Sequence, residues 1–88
     1  MAALTSSSIA ITAAWTQVST SKATVILTNP LSLPLQYAVA ATSSDLNGVI
    51  GHEFNRLETV TLTDLGTSGN NVFVKAAGGS GILIVTAY

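Results

Sequence analysis

Apolar and polar positions alternate in short runs along the chain, and the runs are separated by Gly, Pro, Asn and Ser. A period of two with β-branched residues predicts strands, and no stretch carries a 3.6-residue period long enough for a helix of three turns. Ser8-Ile9-Ala10-Ile11-Thr12 alternates, and Trp15-Thr16-Gln17-Val18 continues it, before Ser19-Thr20-Ser21 turns the chain. Lys22 to Thr28 is the clearest early strand and stops at Asn29-Pro30. Proline has no N–H for a ladder, so Pro30 to Pro34 reads as a loop or sheet edge. Leu35 to Ala40 is the next strand, and Asn47-Gly48 closes the loop after it as a turn. Val49 to Phe54 is extended but irregular, whereas Glu58 to Thr63 alternates strictly. Asp64 to Asn70 is a glycine-containing loop. Asn71 to Ala76 and Ile82 to Tyr88 are the last strands, joined by Gly78-Gly79-Ser80-Gly81 as a tight hairpin.

About seven strands at a spacing of roughly 8–12 residues predict a single antiparallel β-sandwich, or a jelly-roll-like small barrel. The whole chain, 1–88, is expected to form one β domain, with residues 1–7 as an extended N-terminal arm. The last strand is apolar on both faces. Ile82, Ile84 and Thr86 point one way, and Leu83, Val85 and Ala87 the other. Such a strand is central and covered from outside, or it lies at a subunit contact.

Composition changes the picture in one respect. Hydrophobic residues make up 48% of the chain, which is ordinary, but charged residues only 8%, where roughly 25% is typical. Twelve Thr and ten Ser take their place. Disorder requires low hydrophobicity with high net charge and is excluded. Three cations cannot build a basic face, so nucleic acid is not an expected partner. With no cysteine there is no disulfide framework and no thiolate chemistry. No run approaches the roughly 20 apolar residues of a spanning helix. The first residues lack the basic and apolar regions of a secretory signal, so no membrane partner and no address are expected. A folded 9.0 kDa monomer exposes roughly 4,800 Å² and buries about 63% of its unfolded surface, which is marginal for a free monomer.

Candidate chemistry is sparse. Gly78-Gly79-Ser80-Gly81-Ile82 approaches a nucleophile elbow but ends in Ile and precedes a strand. His52-Glu53 could open a metal site, but one histidine with scattered carboxylates is a weak zinc pattern. Asp45 and Asn47 lack the acidic density of a calcium loop. Glu53, Glu58 and Asp64 could pair for glycoside hydrolysis only in a deep cleft, which a domain this small rarely offers. No enzyme activity, metal or cofactor is expected. Five of the seven charges, Asp45, Glu53, Arg56, Glu58 and Asp64, fall within residues 45–64, while Lys22 and Lys75 stand apart. Asp45, Glu53, Glu58 and Asp64 form an acidic rim, either simply solvated or matched to a basic patch on a partner. Among the aromatics, Trp15 and Phe73 sit in alternating runs, Phe54 falls in the irregular charged stretch and reads as exposed, and Tyr88 ends the chain.

Taken in order, several segments resemble small tailed-bacteriophage virion proteins. These are Ala3 to Ser8 with Trp15-Thr16-Gln17-Val18-Ser19, then Thr28-Asn29-Pro30, Gly51-His52, Asn71 to Ala76, and Gly79 to Thr86. Members of that group usually carry a Pro-rich loop where Ala41-Thr42-Ser43-Ser44-Asp45 stands here. The resemblance implies a β-sandwich subunit held on a phage particle, commonly as a trimer or higher oligomer. The leading expectation is a non-enzymatic capsid decoration protein on the virion surface, made in the bacterial host cytoplasm, that bridges capsomers. A tail or fibre module, glycan- or host-contacting, is the alternative. Its partners would be itself, with a trimer favoured, and the major capsid protein or another virion protein. The interface residues are expected to be Trp15, Phe54, Ile82, Ile84 and Tyr88.

Overall fold

The computed structural model describes residues 6–30, 33–63, 65, 70–76 and 79–88. The expected arm at residues 1–7 lies outside them except for Ser6 and Ser7, as does Asp64 of the acidic rim. Among the described residues eight strands form: β1 (Ser6–Ile11), β2 (Thr16–Gln17), β3 (Val25–Thr28), β4 (Leu35–Ala40), β5 (His52–Phe54), β6 (Thr59–Leu62), β7 (Asn71–Ala76) and β8 (Gly81–Ala87). A 3-10 turn, Ser43–Leu46, lies between β4 and β5. The strands divide into two four-stranded sheets, ordered β1-β8-β3-β6 and β2-β7-β4-β5.

Every ladder is antiparallel. β1 pairs β8, β2 pairs β7, β3 pairs β6 and β4 pairs β5. That nesting is one long hairpin with β4 and β5 at its tip. Rolling it so that successive pairs fall in alternate sheets creates the β8–β3 and β7–β4 contacts. The chain is therefore a β-sandwich with jelly-roll connectivity, one of the two forms the strand spacing allowed.

The count of eight rather than seven has a local cause. Residues 12–15 break the expected long first strand, so Thr16–Gln17 joins the opposite sheet. The predicted hairpin at the end of the chain is corrected likewise. β7 and β8 lie in different sheets, so Gly79 to Gly81 leads across the sandwich instead of turning a ladder back on itself.

The core lies between the sheets and follows the pleat. Leu83 and Val85 of β8, Val25 and Leu27 of β3, and Ile11 of β1 face Leu35 of β4 and Val72, Val74 and Ala76 of β7. One polar side chain is fully buried with them. The Asn29 amide donates to the Leu33 carbonyl at 2.7 Å and to the Phe54 carbonyl at 3.3 Å. Its backbone carbonyl also accepts from Leu57 N–H at 2.7 Å. Asn29 thus ties the end of β3 to the loop before β4 and to the segment between β5 and β6. No helix among the described residues is long and apolar enough to cross a membrane.

Candidate functional site

The two sheets present different outer faces. On the sheet β1-β8-β3-β6, register places Ser6, Thr86, Ile26 and Thr61 in one outward row, and Ser8, Ile84, Thr28 and Thr59 in the next. Ala10 pairs Ile82 beyond them. Reciprocal backbone bonds set Thr24 beside Tyr88 at the other end, at 2.8 and 2.9 Å. None of these twelve side chains carries a charge. Hydroxyls bond laterally across strands, Ser6 to Thr86 at 2.5 Å and Thr28 to Thr59 at 3.0 Å. Between them stand apolar groups, with Ile82 43% and Tyr88 51% exposed. Ordinary surfaces carry roughly 25–35% charged residues, so a solvated face of this size would be expected to hold about three or four.

The sheet β2-β7-β4-β5 is covered by its own chain. Phe73 and Ala38 point outward in register with each other, yet Phe73 is only 2% exposed. Leu46 of the 3-10 turn packs over them, with Trp15 and Ala40 at the margin. The chain after β4 therefore makes a short third layer. Asp45 accepts from the Thr42 amide and hydroxyl at 3.3 and 3.2 Å and so holds the turn. The Asn71 amide donates to the Ala41 carbonyl at 3.0 Å. Lys75 Nζ sits 4.7 Å from the centre of the Trp15 ring and donates to the Val49 carbonyl at 3.3 Å. Gly51 returns the chain to the sheet at φ +92°, where a Cβ would meet Trp15 Cη2 at 2.7 Å and the Tyr37 carbonyl oxygen at 3.1 Å. Only glycine tolerates both that torsion and that approach.

Of the five expected interface residues, Ile82, Ile84 and Tyr88 share the neutral face. Trp15 lies on the other side of the sandwich, half-buried under Lys75. Phe54 is corrected. It is 1% exposed and packs edge-on against Tyr37 with ring centres 5.8 Å apart, so it is a core residue. Pairing with Leu35 turned it inward, which a charged and irregular sequence stretch did not signal.

The described members of the acidic rim are dispersed. Asp45 lies in the 3-10 turn, and Glu53 faces outward in one row with Gln36 and Lys75. Glu58 accepts from the Asn55 backbone N–H at 2.7 Å within its own turn. His52 and Glu53, adjacent in sequence, fall on opposite faces of β5 and so cannot converge on one ion. Among the described residues no three of His, Cys, Asp and Glu gather around a common point.

A further feature was not foreseen. β5 pairs only with Leu35 to Tyr37, so among the described residues β4 has no strand neighbour beyond Tyr37 on that side. An open groove of about 720 Å³ runs there, walled by Tyr37, Val39, Leu46, Val49, His52 and Leu62 among others. Tyr37 and His52 stack along it with ring centres 5.1 Å apart. Only the free edge reveals this groove, and strand pairing is not written in local pattern.

No protein-family model, curated protein or solved structure matches the chain. Its functional reading accordingly rests on its own residues and geometry.

Proposed function

We propose that the chain is a non-enzymatic structural subunit of a tailed-bacteriophage virion, docked on the capsid surface, where it bridges neighbouring capsomers. The observation that carries the reading is the uncharged outer face of β1-β8-β3-β6, where Ile82 and Tyr88 stand exposed and Ile84 half-buried among hydroxyls. A face without charge incurs little desolvation cost when buried, and its hydroxyls can pair across a contact. The ordered motifs from Trp15 to Thr86 that resemble small virion proteins support the same reading. Jelly rolls recur in viral capsids, which is a fold-level analogy and lends weight only as such. The mechanism is passive: protein bound to the assembled shell but not to separated capsomers stabilises the shell by mass action.

The test uses particles that lack the protein. Added wild-type chain should bind and raise the temperature at which the shell opens. The Ile82→Lys/Ile84→Lys double variant should stay folded by circular dichroism and lose binding. Failure of the wild type to bind would remove the decoration role. Undiminished binding by the double variant would remove the neutral face from it. A tail or fibre module is the second reading, since the same face would suit a tail contact. Electron microscopy of labelled particles separates the two by position, over the shell or at the tail.

A further inference from the structure

The turn after the 3-10 segment holds Asn47 before Gly48, the one Asn-Gly pair in the chain. Asn47 at φ −59°, ψ 121° and Gly48 at φ +79°, closed by Val49 N–H donating to the Leu46 carbonyl at 3.0 Å, make a type II turn. Gly48 adopts that torsion without strain. Both residues are exposed. Neither the Asn47 side-chain amide nor the Gly48 N–H has a hydrogen-bond partner among the described residues. The peptide between them is the centre of the turn. Type I and type II turns differ by its rotation and share the outer hydrogen bond, so it can turn over without breaking the Leu46–Val49 bond. The other four asparagines differ. Asn29 is buried and precedes Pro30, which has no N–H. The Asn71 side chain donates to the Ala41 carbonyl and accepts from Ser21 N–H. The Asn70 amide donates to the Leu65 carbonyl. Asn55 precedes Arg56, whose side chain crowds the approach to its N–H.

We propose that Asn47 is a site of spontaneous deamidation, with water as the co-reactant. The Gly48 nitrogen, its proton lost to hydroxide, attacks Asn47 Cγ. An N–Cγ bond forms, the Cγ–Nδ2 bond breaks, and the leaving nitrogen takes a proton from water and departs as ammonia. Water then opens the five-membered succinimide at either carbonyl, which leaves aspartate or isoaspartate at position 47. The structural outcome is local. Leu46, the residue before Asn47, packs over Phe73 and Ala38. Asn47 also lines a shallow hollow together with Trp15 and Lys75. Isoaspartate adds a methylene to the backbone at this point and shifts Leu46 over its cluster. Either product adds one negative charge to a chain whose formal net charge is −1. The site lies apart from the neutral face and does not depend on the virion reading.

Peptide mapping by mass spectrometry tests it on the full folded chain, held at mildly alkaline pH in water enriched in heavy oxygen. Ammonia should be released, and the peptide containing Asn47 should take up the label and yield both aspartate and isoaspartate. Asn47 should react at least about tenfold faster than Asn55, Asn70 or Asn71. Asn47→Gln should fold as wild type by circular dichroism and release far less ammonia, since its longer side chain would have to close a six-membered ring. Hydrogen exchange across residues 43–50 should rise in the isoaspartate fraction, and unchanged exchange there would remove the effect on the Leu46 contact. No label at Asn47, aspartate without isoaspartate, or a rate at Asn47 no faster than at the other asparagines overturns the proposal.

Discussion

The outer faces of the two sheets are built from similar strands and end in opposite states. On β2-β7-β4-β5 the chain folds back, and Leu46 and Trp15 roof Phe73 and Ala38. Charges gather on that side, with Glu53, Lys75 and Asp45 on or beside the roof. On β1-β8-β3-β6 the described chain supplies no roof, and the face carries Ser, Thr, Ile, Ala and Tyr without a charge. A domain of this size built one covering layer from its own loop and left the second face neutral. Under the proposed function the difference says where a partner would dock: a covered face is finished within the monomer, while a neutral uncovered face is suited to a contact.

The largest expected effect breaks the covered face. Phe73→Ala empties the small outer cluster and should cost about 3–4 kcal/mol, with a melting decrease of at least about 12 °C for a domain of this size. Ile84→Ala on the neutral face should cost less than about 1 kcal/mol, as a partly exposed side chain loses little. Equal losses in urea unfolding would erase the distinction between the faces. Gly51→Ala acts on the hinge of the roof. A Cβ at φ +92°, pressed between Trp15 and Tyr37, should cost about 2 kcal/mol, measured as a lower urea midpoint with an unchanged slope. Lys75→Met removes the cation over Trp15 and the bond to Val49. It should cost about 0.5–1 kcal/mol and raise hydrogen exchange across residues 43–50. The smallest effect is on the neutral face itself. Thr61→Lys should change stability by no more than about 0.5 kcal/mol while weakening particle binding, a combination that a merely structural face would not produce.

Much of the fold was legible because alternation is local. Leu35 to Ala40 and Asn71 to Ala76 form strands with the bounds their pattern predicts. Ile82 and Ile84 share an outward face, as the period of two required. Other features were not legible. Asn29 looked like a strand stop before Pro30, and it is also a buried hub whose amide reaches Leu33 and Phe54. Phe54 looked exposed because its neighbours are charged. The hydroxyl runs gave no hint that Thr28, Thr59, Thr61 and Thr86 would converge on one face from three strands.

The sequence by itself determined the all-β class, the positions of most strands and the near absence of charge, since each depends on neighbours along the chain. Only the tertiary structure decided which sheet each strand joined, which face was roofed and where the edge of β4 stayed open. Those outcomes rest on pairing between distant residues, such as Ser6 with Thr86, 80 positions apart. A strand of period two fits many partners equally well, so the choice among them is made by how the whole hairpin rolls and buries its core.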